Sequence, residues 1–283
     1  MVIDNSNVAS RKYKRVIVCI LVVALVAAWL WQVLRKAPPE MYKGKPITAW
    51  INDWGQRPLG DTAAAIDDFE KIGPRSTTYV LEALKARNSL LHQPYLFIYS
   101  RLPKRIQSKL SPPRDAASVR RTAAAVMGAW GRKIVQPSIA IPALLDALDD
   151  DNVYVRQVVA GSLQIARRNW EDEDPVGCTI YDKVAVQKLL IATMDKDASV
   201  RINAIGGMCY FTAGATNAFN FWTSTAKTET GYPQACAVYA LDKFNQVTPD
   251  LKPTLELMLT NETKWIRQVA KASLDKLKAK AGE

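Results

Sequence analysis

Four rows of apolar residues, each opened by a β-branched residue and an arginine, set the pattern of this chain. Val119-Arg120, Val155-Arg156, Val200-Arg201 and Ile266-Arg267 are followed four residues later by Ala123, Val159, Ala204 and Ala270, and eight residues later by Met127, Leu163, Met208 and Leu274. An i, i+4, i+8 row is one face of an α-helix. Six residues after each opening stands a small residue, Ala125, Gly161, Gly206 or Ala272, which predicts close approach by a neighbouring helix. The repeated phrase predicts stacked helical units that bury their apolar rows against one another, not one compact domain.

Around these rows the spacing predicts second-type helices over 116–130, 153–168, 199–211 and 264–280, with first-type helices over 139–148 and 184–194. Further helices are expected over 48–54, 61–72, 77–87, 235–247 and 249–259, and 90–102 is apolar and aromatic. Gly73-Pro74 stops one of them, with glycine in the left-handed position and proline unable to continue. Trp170 to Cys178 reads as an acidic loop, and 214–232 as the least regular stretch. The row openings stand 36, 45 and 66 residues apart, so the last interval leaves room for a degenerate pair. No strand pattern of useful length appears.

Residues 16–34, VIVCILVVALVAAWLWQVL, break the rhythm with an apolar run whose one polar residue is Gln32. Its length suits a bilayer core. Arg11, Lys12, Lys14 and Arg15 precede it, Arg35 and Lys36 close it, and Trp29 and Trp31 stand near its far end, where indoles favour the headgroup interface. The alternative is a cleaved signal peptide ending near Val26-Ala27-Ala28. The continuation through Trp31 into a basic stop favours an uncleaved anchor. The organisation expected is a basic tail (1–15), a transmembrane helix (16–34), a linker (35–47) and a repeat domain (48–283). Nearby Lys and Arg balance across the span, and the free amino terminus tips the expectation to N-inside with an extracytoplasmic repeat domain.

The net charge of +11 is uneven: residues 71–133 carry thirteen basic and two acidic side chains, and 134–283 sixteen basic and eighteen acidic. The basic cluster Arg101, Lys104, Arg105, Lys109, Arg114, Arg120 and Arg121 surrounds the break at Ser111-Pro112-Pro113. Three readings stay open for it: a solvated face, contact with anionic lipid headgroups, or an anionic macromolecule, against which a membrane anchor argues when that macromolecule is nucleic acid. Phe219, Phe221 and Trp222 are a candidate partner contact, or the core of the degenerate repeat.

Signals for chemistry are sparse. His92 is the one histidine, and no nucleophile elbow, Walker sequence or dinucleotide fingerprint accompanies it. Glu171-Asp172-Glu173-Asp174 lacks the alternating ligands and turn glycine of a calcium loop. Cys178, Cys209 and Cys236 show no C-x-x-C spacing. Cys209 and Cys236 fall on consecutive predicted helices, to be paired in an oxidising compartment or left as buried free thiols. The expectation is a non-enzyme with no cofactor and no metal.

The phrase Leu144-Leu145-Asp146-Ala147-Leu148-Asp149-Asp150-Asp151 followed by Val155-Arg156 resembles the HEAT repeat, and Met194 to Asp197 with Val200-Arg201 resembles it again. The layout is similar to bacterial membrane-anchored HEAT-repeat proteins: an apolar N-terminal segment, the phrase Tyr42-Lys43-Gly44-Lys45-Pro46-Ile47 running to Trp50, then Ile72-Gly73-Pro74 and the repeats. The resemblance implies an all-α, HEAT-like solenoid (a right-handed α-α superhelix) of five or six helix pairs, acting as a protein–protein scaffold at a membrane. It also implies a ladder of turn acids and arginines, with Asp151 beside Arg156, Asp197 beside Arg201, and Arg267 in the last unit. As partly exposed pairs these are worth about 0–1 kcal/mol each. DNA glycosylases of HEAT-like type bind nucleic acid on a basic face, but no glycosylase acid is matched here.

Overall fold

The computed structural model describes residues 23–24, 40–55, 71–107, 110, 115–130, 135–173, 179–211, 218–244 and 248–281. The chain divides into two units, Met1–Met41 and Tyr42–Glu283. In the first, Val23 and Ala24 are helical. The basic tail and the rest of the expected span at 16–34 lie outside the described residues, as do most of the 61–72 helix, Cys178, Lys109 and Arg114. Among the described residues no helix is long and apolar enough to cross a membrane.

The second unit is a row of helix pairs. It begins earlier than the sequence predicts. Two-residue strands β1 (Met41–Tyr42) and β2 (Lys45–Pro46) flank a turn in which Lys43 and Gly44 take positive φ. Helix α1 (Ile47–Gly55) follows, and Trp50 Nε1 donates to the Tyr42 carbonyl at 3.0 Å. Tyr42 to Pro46, read as linker, therefore belong to the cap of the stack. Helix α1 packs on the first pair, α2 (Ser76–Leu84) and α5 (Ala116–Trp130). Gly73 ahead of α2 has φ +75°, the left-handed value expected of it.

Four more pairs follow: α6 (Pro137–Ala147) with α7 (Val153–Glu173), α8 (Asp182–Ala192) with α9 (Ala198–Met208), α10 (Phe219–Thr228) with α11 (Gly231–Lys243), and α12 (Leu251–Met258) with α13 (Lys264–Ala281). All twelve residues of the four apolar rows are buried. The second helices stack directly on one another, while the first helices pack chiefly on their own partners. The expected degenerate pair is α10–α11, whose hidden row is Pro233, Ala237 and Leu241. Phe219 and Trp222 are buried beneath it and Phe221 packs against the core, so the aromatic stretch is core and not an exposed partner contact.

Two local details hold the first helices. Pro142 lies inside α6 and has no N–H to give the Ser138 carbonyl. That carbonyl accepts instead from Tyr181 Oη at 3.2 Å. Lys188 donates to the Leu145 carbonyl at 3.0 Å, tying α8 to the end of α6.

The small position of each row does not by itself mark the tightest contact. A Cβ on Gly206 would lie 2.5 Å from the Tyr232 hydroxyl, but one on Gly161 would meet Asn203 Nδ2 at an ordinary 3.8 Å. Among the described glycines the tightest backbone contact is at Gly128, where a Cβ would lie 2.5 Å from the Ser162 Cα.

The ladder exists, with partners other than those expected. Each arginine spends Nη1 on its own turn: Arg156 on the Asp150 and Asp151 carbonyls, Arg201 on those of Asp195 and Lys196, Arg267 on those of Asn261 and Glu262. In Arg120 and Arg156 the remaining nitrogens reach the acid of the following pair. Arg120 makes a two-pronged bond to Asp150 (2.6 and 2.8 Å) and also meets Asp151 at 2.8 Å. Arg156 binds Asp195 the same way, at 2.7 and 3.1 Å. Asp197 is not available to Arg201, because its carboxylate caps α9 at Ser199 and Val200 N–H. In α11, Gln234 stands in the arginine position. It donates to the Ala226 carbonyl at 3.0 Å and accepts from Asn261 of the next turn at 2.9 Å, a neutral rung.

The same register explains the basic break. Asp150, Asp195 and Asn261 each accept, through a side-chain oxygen, the N–H three residues before the row opening, at Asn152, Asp197 and Thr263. In the first pair that N–H is Ala116, and its acceptor is Asn88, 28 residues upstream, at 2.9 Å. Residues 89–114 are thus spliced into the turn of an otherwise regular pair. The apolar, aromatic stretch there forms α3 (His92–Arg101), followed by a short α4 (Lys104–Gln107).

Candidate binding cleft

The described part of the basic cluster does not converge. Arg120 is buried in the ladder, where bonds to Asp150 hold its guanidinium pKa above the usual arginine value. Arg121 is half-buried on α5, and Arg101, Lys104 and Arg105 are exposed on the insert.

The residues that do converge lie on the face made by the second helices. On α11, Tyr232, Ala235, Cys236 and Tyr239 share one helical face, at i, i+3, i+4 and i+7. Gln164 from α7, Cys209 and Tyr210 from the end of α9, and Trp265 from the start of α13 complete a cleft of about 180 Å³. The Tyr210 and Tyr239 rings lie 5.5 Å apart at 48°. Gly206 leaves the space into which Tyr232 lies, and the Tyr232 hydroxyl donates to Gln164 Oε1 at 3.4 Å. Trp265 keeps 44% of its surface exposed at the rim.

A charge network supports the cleft from below. Arg167 and Asp182 are a buried pair at 3.1 Å, Arg167 Nη1 lies 3.5 Å from Glu171, and Glu171 lies 3.2 Å from Lys243. The Lys243 ammonium sits 4.8 Å over the Tyr239 ring and 5.6 Å from that of Tyr210, fixing both rings. Burial pulls the Lys243 pKa down, but Tyr239 and Glu171 outweigh it and hold it above the usual value. The acidic stretch read as a loop is therefore helical through Glu173, and Glu171 is paired. This network was hidden because its members come from three different helices, with Lys243 72 residues from Glu171.

Cys209 and Cys236 are free and buried side by side in this cleft. The neighbouring Cys236, together with burial, pushes the Cys209 thiol up, and Cys209 holds Cys236 below the usual cysteine value. Cys209 Sγ also donates to the Gly206 carbonyl at 3.0 Å. Burial raises the Tyr210 and Tyr232 hydroxyls above ordinary phenol values. Among the described residues no group of three or more His, Cys, Asp or Glu is placed to hold a metal ion.

A wider groove of about 490 Å³ opens between α2 and α6, bordered by Lys85, Arg87, Asp146 and Asp149. Its floor acid, Asp150, is already engaged by Arg120.

The fold and cleft define a helical-repeat protein built of two-helix units. No protein-family model matches the chain, and no curated protein does. Among solved structures it is similar to a designed armadillo repeat protein in complex with the peptide (KR)4, at 13% identity and TM-score 0.45, over 81% of this chain and 97% of that one. A computationally designed armadillo repeat protein for modular peptide recognition gives 13% identity and TM-score 0.43, with the same 81% and 97% coverage.

Proposed function

We propose that this chain is a non-catalytic scaffold, tethered to a membrane by residues 16–34, that binds a segment of a partner protein in the aromatic cleft of its second-helix face. The observation that carries the reading is the convergence of Tyr210, Tyr232, Tyr239 and Trp265 with Gln164 around one cleft. Aromatic side chains with a polar tip bury large area at low entropic cost and dominate the energetics of protein interfaces. Stacked repeats offer such an extended surface. The acids beside the cleft support binding over catalysis, since Asp182 and Glu171 are each held by a cation and neither is placed as a free base. No cofactor or metal enters this reading, and the repeat domain lies on the extracytoplasmic side of the membrane.

The test is a photo-crosslinking residue at Tyr232 of the full chain in its native membrane, with the same residue at the exposed Met194 as control. A discrete crosslinked partner at 232, absent at 194 and lost when Tyr239 and Trp265 are both alanine, is the expected result. Equal labelling at both positions overturns the assignment of the cleft. Substrate turnover by the purified chain that depends on Glu171 or Asp182 overturns the non-catalytic reading.

A further inference from the structure

Among the described residues, the insert that begins at Ser89 is a departure from the repeat that neither the ladder nor the cleft uses. It leaves after Asn88 and returns at Asp115, its ends clamped by the Asn88 to Ala116 bond. It is a built element. Gln107 Nε2 donates to the Tyr99 and Leu102 carbonyls, both at 2.9 Å, and the Tyr99 hydroxyl donates back to the Gln107 carbonyl at 3.4 Å. Tyr95 and Tyr99 pack together 5.9 Å apart on its inner side.

Its outer side is apolar. Helix α3 buries none of its residues. Leu90 is 98% exposed, Leu91 72%, Phe97 59% and Ile98 57%, with Leu96, Ile106 and Leu110 also exposed. Clustered apolar side chains of this size on one surface element mark a contact site. Residues 89–114 also carry five basic side chains, Arg101, Lys104, Arg105, Lys109 and Arg114, and no acidic one. The Arg101 guanidinium lies 3.3 Å over the Phe97 ring, so charge and apolar surface share one face.

We propose that this insert docks on an anionic phospholipid surface, with Leu90, Leu91, Phe97 and Ile98 entering the headgroup–acyl boundary and Arg101, Lys104 and Arg105 meeting lipid phosphates. Aliphatic and phenyl side chains beside Lys and Arg are the composition of an interfacial element. Long basic side chains reach the headgroups while their stems stay on apolar surface. A phosphate backbone would use the cations and leave the leucines and isoleucine in water, which disfavours nucleic acid. The proposal is independent of what fills the cleft and of whether residues 16–34 span the bilayer, because docking is read at the insert itself.

The experiment is hydrogen–deuterium exchange of the full chain reconstituted with phosphatidylcholine vesicles, or with equal parts phosphatidylcholine and phosphatidylglycerol. The expected result is slower exchange over 90–107 in the anionic vesicles alone, reversed by salt. Each basic residue near an anionic surface contributes about fivefold in affinity, so reversal of both Lys104 and Arg105 to glutamate should weaken docking at least tenfold or so. Phe97→Ser with Ile98→Ser should abolish it, while the thermal melt changes little because both side chains are more than half exposed and lie outside the core. Equal exchange in the two lipids overturns the proposal. Protection instead by an oligonucleotide, or only by a protein added to lipid-free chain, also overturns it.

Discussion

Asp150→Ala tests the reassigned ladder. Arg120 and Asp150 keep 6% and 5% of their side-chain surface and are joined by two bonds of 2.6 and 2.8 Å. Removing one partner of a buried pair strands the other charge, at about 3–5 kcal/mol. Asp151 stays 2.8 Å from Arg120 but is 80% exposed, so it holds part of that charge and places the loss near the low end, about 3 kcal/mol. For a domain of this size each kcal/mol lowers Tm by about 2–4 °C, giving a fall of roughly 6–12 °C. Asp146 is the control: its pair with Lys188 is 84% exposed on the acid side and is worth about 0–1 kcal/mol. The assay is intrinsic-fluorescence melting of both alanine variants, together with Arg120→Met and the double variant. Because the charges act as a unit, the double variant should lose little more than Asp150→Ala, a coupling of about 2 kcal/mol. Equal melts for Asp150→Ala and Asp146→Ala, or additive losses in the double variant, would refute the buried rung.

Two further predictions follow from the packing and the titration of the ladder. Gly128→Ala places a methyl within 2.5 Å of the Ser162 Cα, a backbone atom that cannot swing aside. It should cost about 1–3 kcal/mol by forcing α5 and α7 apart, despite the better helix propensity of alanine; a melt equal to or above wild type would sink this reading. Asp195 is held below the usual carboxylate pKa by its bond from Arg156, and Asp150 likewise, since hydrogen bonds from Arg120 and the Asn152 N–H outweigh the upward push of burial. Their native pKa values lie below the unfolded one, so their contribution is complete above about pH 4 and is lost as pH falls through the native values. Acid-induced loss of Tm should therefore be shallower in the Asp150→Ala/Asp195→Ala chain, and an unchanged slope would place the acid lability elsewhere.

Much of the fold was legible in the chain because a helix face is a local property. The row Val200, Ala204, Met208 needs only its own spacing to declare a buried stripe, and all four rows are buried as read. The α10–α11 pair was found only as a gap, because Pro233 and Gln234 replace the Val-Arg opening. Its chemistry is the same in kind, with a donor to the turn behind and a bond to the turn ahead.

The sequence by itself determined the helices, their apolar faces, the arginines that mark each turn and the basic character of the break at 101–114. The tertiary structure decided which groups those residues meet. Arg156 pairs with Asp195 and not with Asp151, because the side chain reaches across the stack, and the offset between pairs is set by close contacts such as Gly128 on Ser162. The cleft depends on four second helices being brought side by side, and only Tyr232 and Tyr239 among its aromatic residues share a helical spacing in the chain. The exposure of Leu90, Phe97 and Ile98 was equally invisible, since an apolar residue reads as core until packing leaves it at the surface. Periodicity records what one helix buries. Only the arrangement of helices decides what is left at the surface to bind.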